Sequence, residues 1–261
     1  MQNLITSTDN LKIKQIKKLL ESKKARTINQ SFVLEHLKAI KEIAQKNPTD
    51  ICYLIFEENS PEKEYFASFN LSTYLVDSKI FKAISSLKTS KGVLAIIKKP
   101  IFTLAEILKN TEPQNLVLAV GISNPNNLGA LIRNAVAFKI NAVLCLEGTV
   151  DPYHPDAIQA SAGNIYQLPI IQVNAEDLAL LKKRGYTFFV LDAHLGQSLS
   201  KTNFTEKNLF IFGSEGAGLK NEFEAAIKPY QKIIIETDNV ESLNVAVSSG
   251  ILFYFKQILA P

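Results

Sequence analysis

The chain of 261 residues has few of the side chains that bind metals or form cross-links, with only two cysteines and three histidines. Cys52 and Cys145 stand far apart, each inside an apolar run (ICYLIF and AVLCLE), which predicts buried thiols rather than a disulfide. Two such cysteines and scattered histidines offer no ligand set for a structural zinc, and no metal is expected. No apolar stretch approaches the roughly 18 residues of a membrane span, and Met1–Asn10 lacks the apolar centre of a leader peptide. The expected location is therefore cytoplasmic. Two glycine signatures are also missing: neither the dinucleotide pattern G-x-G-x-x-G nor a P-loop ending in Gly-Lys-Ser/Thr occurs. There is no internal repeat and no low-complexity tract.

What is present is the mix of a globular protein, 46% apolar and 21% charged, long enough for one large or two modest domains. The net charge of +4 is unevenly spread. Residues 1–46 carry ten Lys/Arg against four Asp/Glu, a balance of +6 that leaves −2 for the remainder. A basic first segment on a near-neutral body suits a phosphate-rich partner such as RNA, although a run of charges on a helix is also what a solvated face looks like.

Apolar residues at helical spacing after Asp9 and Asn10 predict an amphipathic helix from Asn10 to Lys24 whose other face is mostly lysine. Short apolar runs at Ser31–Leu34, Ile51–Phe56, Thr73–Val76 and Gly92–Ile97, with helices at Glu35–Gln45 and near Lys79–Leu87, make residues 1–98 a small α/β domain. Pro100 and Pro113 mark 99–114 as a linker. From 115 to 261 the pattern changes to uninterrupted apolar runs: LVLAVG from 116, AVLCL from 142, TFFVLDA from 187, LFIFG from 209 and KIIIE from 232. Uninterrupted runs are what a parallel sheet covered on both faces requires. Ligands of such sheets bind outside the carboxyl ends of the strands, so the loops after these runs hold the candidate chemistry.

Three of those loops are unusual. Gly121 to Arg133 is a polar turn leading into a helix, with Asn126 or Asn127 as a cap and Arg133 inside an otherwise apolar stretch, where its charge needs a partner. Its planar fork suits a phosphate or a carboxylate. Phe212-Gly-Ser-Glu-Gly-Ala-Gly-Leu219 holds one carboxylate, Glu215, between glycines. Ile235 to Gly250 is a polar loop entering an apolar helix at Ser242 and Asn244, two residues that also suit plain capping. That helix is apolar nearly all round and is expected in the core or against a second subunit.

Taken in order, NPNNLGALIRNA, LFIFGSEGAGL and VESLNVAVSSGIL resemble the three motifs of the SpoU (TrmH-type) RNA 2′-O-ribose methyltransferases of the SPOUT superfamily, across residues 116–255. The N-terminal stretch, ITSTDNLKIKQIKKLLESKKAR with SFVLEH, is similar to that family's L30e-like substrate-binding domain. The resemblance implies an α/β-knot domain, a parallel sheet with a trefoil knot, preceded by the small L30e-like domain. It also implies S-adenosylmethionine as methyl donor, tRNA or rRNA as substrate, and a homodimer with the last helix at its interface. Gly213, Ile235 and Leu243 match the positions that meet the adenosyl part. Asn127, Arg133, Glu215, Ser242 and Asn244 match the polar active-site positions.

Methyl transfer to a ribose hydroxyl is an in-line displacement that needs alignment and the removal of one proton, but no metal. A guanidinium stays protonated in proteins, so Arg133 is expected to clamp the phosphate beside the ribose and stabilise the forming alkoxide. Glu215 is a candidate base if its surroundings raise its pKa. This chain departs from the family at Asn124, where aspartate is usual, at Glu236, where proline follows the isoleucine, and at Gln159, often arginine. The loop after Ile235 is also one residue short, leaving Ile234 as an alternative to Ile235. The rival readings are a knotted RNA-binding protein without activity and, from a different class, a nucleotide-dependent dehydrogenase, which the missing G-x-G-x-x-G disfavours. His194 is expected to contact ligand or solvent rather than act as a base, His36 has no assigned role, and Tyr153 and Tyr166 are expected to pack rather than stack on bases.

Overall fold

A computed structural model describes residues 4–87, 89–213 and 227–258. The chain divides into two compact units, one of residues 1–100 with 153–163, the other of residues 101–152 with 164–261.

The first unit runs β1 (Leu4–Ile5), α1 (Leu11–Glu21), α2 (Lys23–Asn29), β2 (Ser31–Leu34), α3 (Leu37–Lys46), β3 (Ile51–Glu57), α4 (Glu62–Phe66), β4 (Thr73–Val76), α5 (Ser78–Ile84) and β5 (Val93–Lys98). Its sheet has the order β1-β4-β3-β5-β2, parallel on the β1-β4-β3 side and antiparallel around β5. Asn10 caps α1 by accepting the Lys12 amide at 2.9 Å, and Ile13, Ile16 and Leu19 bury one stripe of the helix; of the apolar residues that give the helical spacing, Ile16 and Leu19 lie in it, Leu20 is half-buried and Leu11 is exposed. The helix stops short of Lys24. Ser22 leaves the helical conformation to cap a second helix through the Ala25 amide at 3.2 Å, and Arg26, 2% exposed, binds the Leu19 carbonyl at 2.7 Å. Two capping side chains thus close the break by satisfying groups that a helix end leaves open.

The second unit contributes α6 (Leu104–Ile107), β6 (Gln114–Ala119), α7 (Pro125–Ala137) and β7 (Ala142–Leu146), after which α8 (Pro155–Ala160) belongs to the first unit. It continues with β8 (Ile170–Val173), α9 (Ala175–Lys183), β9 (Thr187–Leu191), β10 (Gln197–Ser198), β11 (Lys207–Phe212), β12 (Gln231–Ile234) and α10 (Val245–Ile258). The seven strands form one wholly parallel sheet in the order β10-β12-β9-β11-β6-β7-β8. All carboxyl ends therefore lie along one edge. Leu116 to Ala119 and Ala142 to Cys145 are fully buried, as strands covered on both faces must be. The expected parallel α/β domain is present. β8 escaped the sequence reading because its apolar run is short and begins at a proline. Segment 99–114, read as a linker, holds α6, and its Leu104 packs in the core with Leu116 and Leu118.

Tyr153–Gly163 belongs to the first unit. Tyr153 is 4% exposed and packs on Phe32 at 5.0 Å, with the Lys99 ammonium 4.6 Å from its ring, so it is a packing residue. Gly163, at φ 77°, lies so close to His36 and Ala39 that a Cβ would come within 2.9 Å of both.

Candidate active site

The carboxyl ends of β6 and β11 are neighbours, with Phe212 opposite Ala119 and the Val120 amide donating to the Phe212 carbonyl at 2.9 Å. The chain then leaves β6 through Gly121, at φ 63°, and leaves β11 through Gly213. Thr149, after β7, fixes the first of these exits. Its buried hydroxyl donates to the Ala119 carbonyl at 2.9 Å and accepts the Gly121 amide at 3.2 Å. Nothing in the sequence singled out Thr149, because a lone threonine after a strand carries no spacing signal.

The cap of α7 is Asn124, not Asn126 or Asn127: its side chain accepts the Asn126 amide at 2.9 Å, and Pro125 takes the first helical position. Asn127 is thereby left to another task. Its Oδ1 accepts from Asn244 Nδ2 at 3.1 Å, joining the first turn of α7, just after β6, to the loop after β12. Asn244 also caps α10, its own Oδ1 accepting the Ala246 amide at 2.8 Å. The Asn244 side chain thus caps α10 through its carbonyl oxygen and reaches Asn127 through its NH2. Seven residues after Asn127, on the same face of α7, Asn134 donates to the Ala246 carbonyl at 2.7 Å and to Ser249 Oγ at 2.9 Å.

Arg133 is exposed. The expectation that an arginine in an apolar helix needs a local partner is therefore corrected: α7 buries Leu131, Ile132 and Ala135, and Arg133 projects from the opposite side. Among the described residues its side chain makes no hydrogen bond or ion pair. Ser242 is also exposed, Leu243 and Ile235 are half-buried, and Gly213 is half-buried at the end of β11. Ile234 closes β12, so Ile235 is the first residue beyond the strand. Glu215 lies outside the described residues. The structure thus joins Asn127 to Asn244 and sets Gly213, Ile235 and Leu243 on loops leaving the same sheet edge, while Arg133 and Ser242 are not in contact through any hydrogen bond.

Further along the edge, Asp192 follows β9, and its carboxylate accepts Lys232 Nζ at 2.8 Å and the amides of His194 and Leu195 at 2.9 and 3.0 Å. Burial alone would push this carboxyl up, but these donors outweigh it and hold it below the ordinary aspartate value. His194 is an exposed loop residue. Among the described residues, no group of three or more His, Cys, Asp and Glu is placed to hold a metal ion, and no helix is long and apolar enough to cross a membrane.

Residues 114–254 match the model of the SpoU rRNA Methylase family, and residues 10–95 match the MRM3-like substrate binding domain. An uncharacterized tRNA/rRNA methyltransferase of Synechocystis is 28% identical over 259 residues, 96% of this chain and 92% of that protein. The 23S rRNA (guanosine(2553)-2′-O)-methyltransferase RlmP of Bacillus subtilis is 26% identical over 257 residues, 96% of this chain and 97% of that protein. Among solved structures, an RNA 2′-O ribose methyltransferase superposes with a TM-score of 0.81 at 28% identity, covering 98% of this chain and 100% of that one.

Proposed function

Since the chain belongs to the SpoU rRNA methylase family, we propose that it is an S-adenosylmethionine-dependent methyltransferase acting on a ribose 2′-OH of RNA, with 23S rRNA as the substrate. The observation that carries this reading is the Asn127–Asn244 hydrogen bond, which ties two of the three motif loops together at the ligand edge of the sheet. The substrate class is supported by the RlmP of B. subtilis and by the RlmB of Neisseria meningitidis, a 23S rRNA (guanosine-2′-O-)-methyltransferase 27% identical over 221 residues. Ribosomal RNA as substrate also supports the cytoplasm as the place of action. The trefoil knot implied by the motifs is part of this proposal.

The residues at the edge suit the methyl donor. Gly213 offers backbone without a side chain, and the half-buried Ile235 and Leu243 offer apolar contact for an adenosyl group. When bound, the cofactor supplies a sulfonium methyl as the electrophile. Arg133 holds the phosphate next to the target ribose by its two-pronged fork and stabilises negative charge forming on the 2′-oxygen. Asn127 and Asn244 hold the two loops in register, and Ser242, at the mouth of the α10 loop, orients the hydroxyl. The proton leaves to a base for which Glu215 is the candidate carboxylate. The basic face of α1, with Lys14 and Lys18 exposed, supplies phosphate contacts that give affinity without sequence information.

The partner in solution is a second copy of the chain, docked on α10. Val247, Ile251, Tyr254 and Ile258 are 50, 38, 56 and 55% exposed and recur every three or four residues, making one apolar stripe. A monomeric helix has no reason to show such a stripe to water, whereas a self-complementary interface buries it.

Titration with S-adenosylmethionine by calorimetry tests the activity against a knotted RNA-binding protein that has lost it. Saturable binding at one site per chain is expected, and its absence would favour the inactive module.

A further inference from the structure

β12 and the first turn of the loop that follows it are held by the segment 192–198, to which none of the three motifs quoted above assigns a part. The hold has three independent components. Asp192 binds Lys232 Nζ at 2.8 Å, and its amide donates to the Ile233 carbonyl at 3.0 Å. Gly196, at φ 155°, lies directly on the backbone of β12: a Cβ there would meet the carbonyl carbon and oxygen of Lys232 at 2.8 Å and the Ile233 nitrogen at 2.9 Å. Those atoms belong to the strand itself and cannot swing aside as a side chain would. Beyond Gly196, Gln197 and Ser198 pair in parallel with Ile233 and Ile234, and Ser198 Oγ donates to Glu236 Oε2 at 2.9 Å.

β12 has only four residues and is gripped on one side by β9 and on the other by the two-residue β10. It ends one residue before Ile235. A strand this short has little pairing of its own to fix where its end points, and the two ties past Gly196 act at that end. Glu236 stands where the motif otherwise has proline, a residue that fixes its own backbone angle; here a side-chain hydrogen bond to β10 restrains the same residue.

We propose that Gly196 and the Ser198–Glu236 pair are positioning residues for the methyl-donor pocket, setting the end of β12 and with it Ile235 and the loop to Leu243. The inference rests on the reading of that loop as the donor pocket. It assigns the 192–198 loop no chemistry, only the shape of the pocket.

The test is cofactor binding by calorimetry on the full chain, with RNA affinity and thermal unfolding measured beside it. Gly196→Ala should weaken S-adenosylmethionine binding and raise its KM by about tenfold or more, because backbone strain of that kind is worth at least one such factor. Ser198→Ala should weaken it by about threefold, the loss of one exposed hydrogen bond. Ser198→Thr should restore it, and Ser198→Ala should have no further effect in a Glu236→Ala background. RNA affinity and kcat at saturating cofactor should stay within about twofold of the parent, a split that general destabilisation does not produce. If Gly196→Ala fails to fold, the Ser198 series decides alone. A parent chain that binds no cofactor overturns the pocket reading itself. A parent that binds, with variants that bind equally well or lose cofactor and RNA affinity together, overturns this inference and leaves the pocket reading standing.

Discussion

At the scale of single residues, one side chain between the motif segments uses its two ends for different partners. Asn244 spends its carbonyl on the amide of Ala246 and its NH2 on Asn127, so that one residue both starts a helix and closes a loop. Arg133 is the opposite case, an exposed guanidinium with no partner among the described residues, free to meet a substrate phosphate. Lysine keeps the charge but presents a point rather than a fork. Arg133→Lys is therefore expected to lower the single-turnover methylation rate by about a hundredfold, the scale of losing one donor to a developing oxyanion, with cofactor affinity unchanged. Rapid-quench measurement on saturated enzyme checks this, and full retained activity would remove the bidentate clamp from the account.

At the scale of elements, α7 and α10 are held together by Asn127 and Asn134, two turns apart on one face of α7. Asn134→Ala removes two hydrogen bonds without touching the sheet and should cost about 1–2 kcal/mol of stability, read from the urea midpoint at an unchanged m-value. Much of this level was legible beforehand. Period-two and period-3.6 patterns reveal strands and helices whose faces differ, and uninterrupted runs reveal buried parallel strands, so Leu116–Ala119 and the α1 stripe were readable. The break at Ser22 was not, because the apolar spacing runs up to it and only the local competition of capping hydrogen bonds stops the helix. The cap was misplaced at Asn126 or Asn127, although Pro125, which suits the first helical position, points to the residue before it, Asn124. The exposure of Arg133 was misread for a separate reason: composition along a helix does not say which angle faces the core. Thr149, Asn134 and the Ser198–Glu236 pair carried no local signal at all, their partners being distant in sequence. The motifs named the segments of the proposed site; the Asn127–Asn244 hydrogen bond that links two of them comes from a tertiary contact.

At the scale of the molecule, one chain builds a basic N-terminal unit and a parallel-sheet unit. Net positive charge is concentrated in residues 1–46, which makes RNA affinity fall with added salt, as counterion release requires. In the proposed dimer the apolar stripe of α10 is the interface. Ile251→Glu is expected to convert a dimer to a monomer in analytical ultracentrifugation while far-ultraviolet circular dichroism is kept, because a charge in the middle of the stripe cannot be buried without a partner. A parent chain that sediments as a monomer would contradict the interface. The most direct test of the central claim is to locate the methyl group after the purified chain reacts with labelled S-adenosylmethionine and unmodified 23S rRNA. Nuclease digestion and mass spectrometry should find one 2′-O-methylated nucleoside, seen as a dinucleotide that resists alkaline cleavage, and the product should be lost with Arg133→Ala. Label on a base atom, or RNA bound with no methyl transferred, would contradict it.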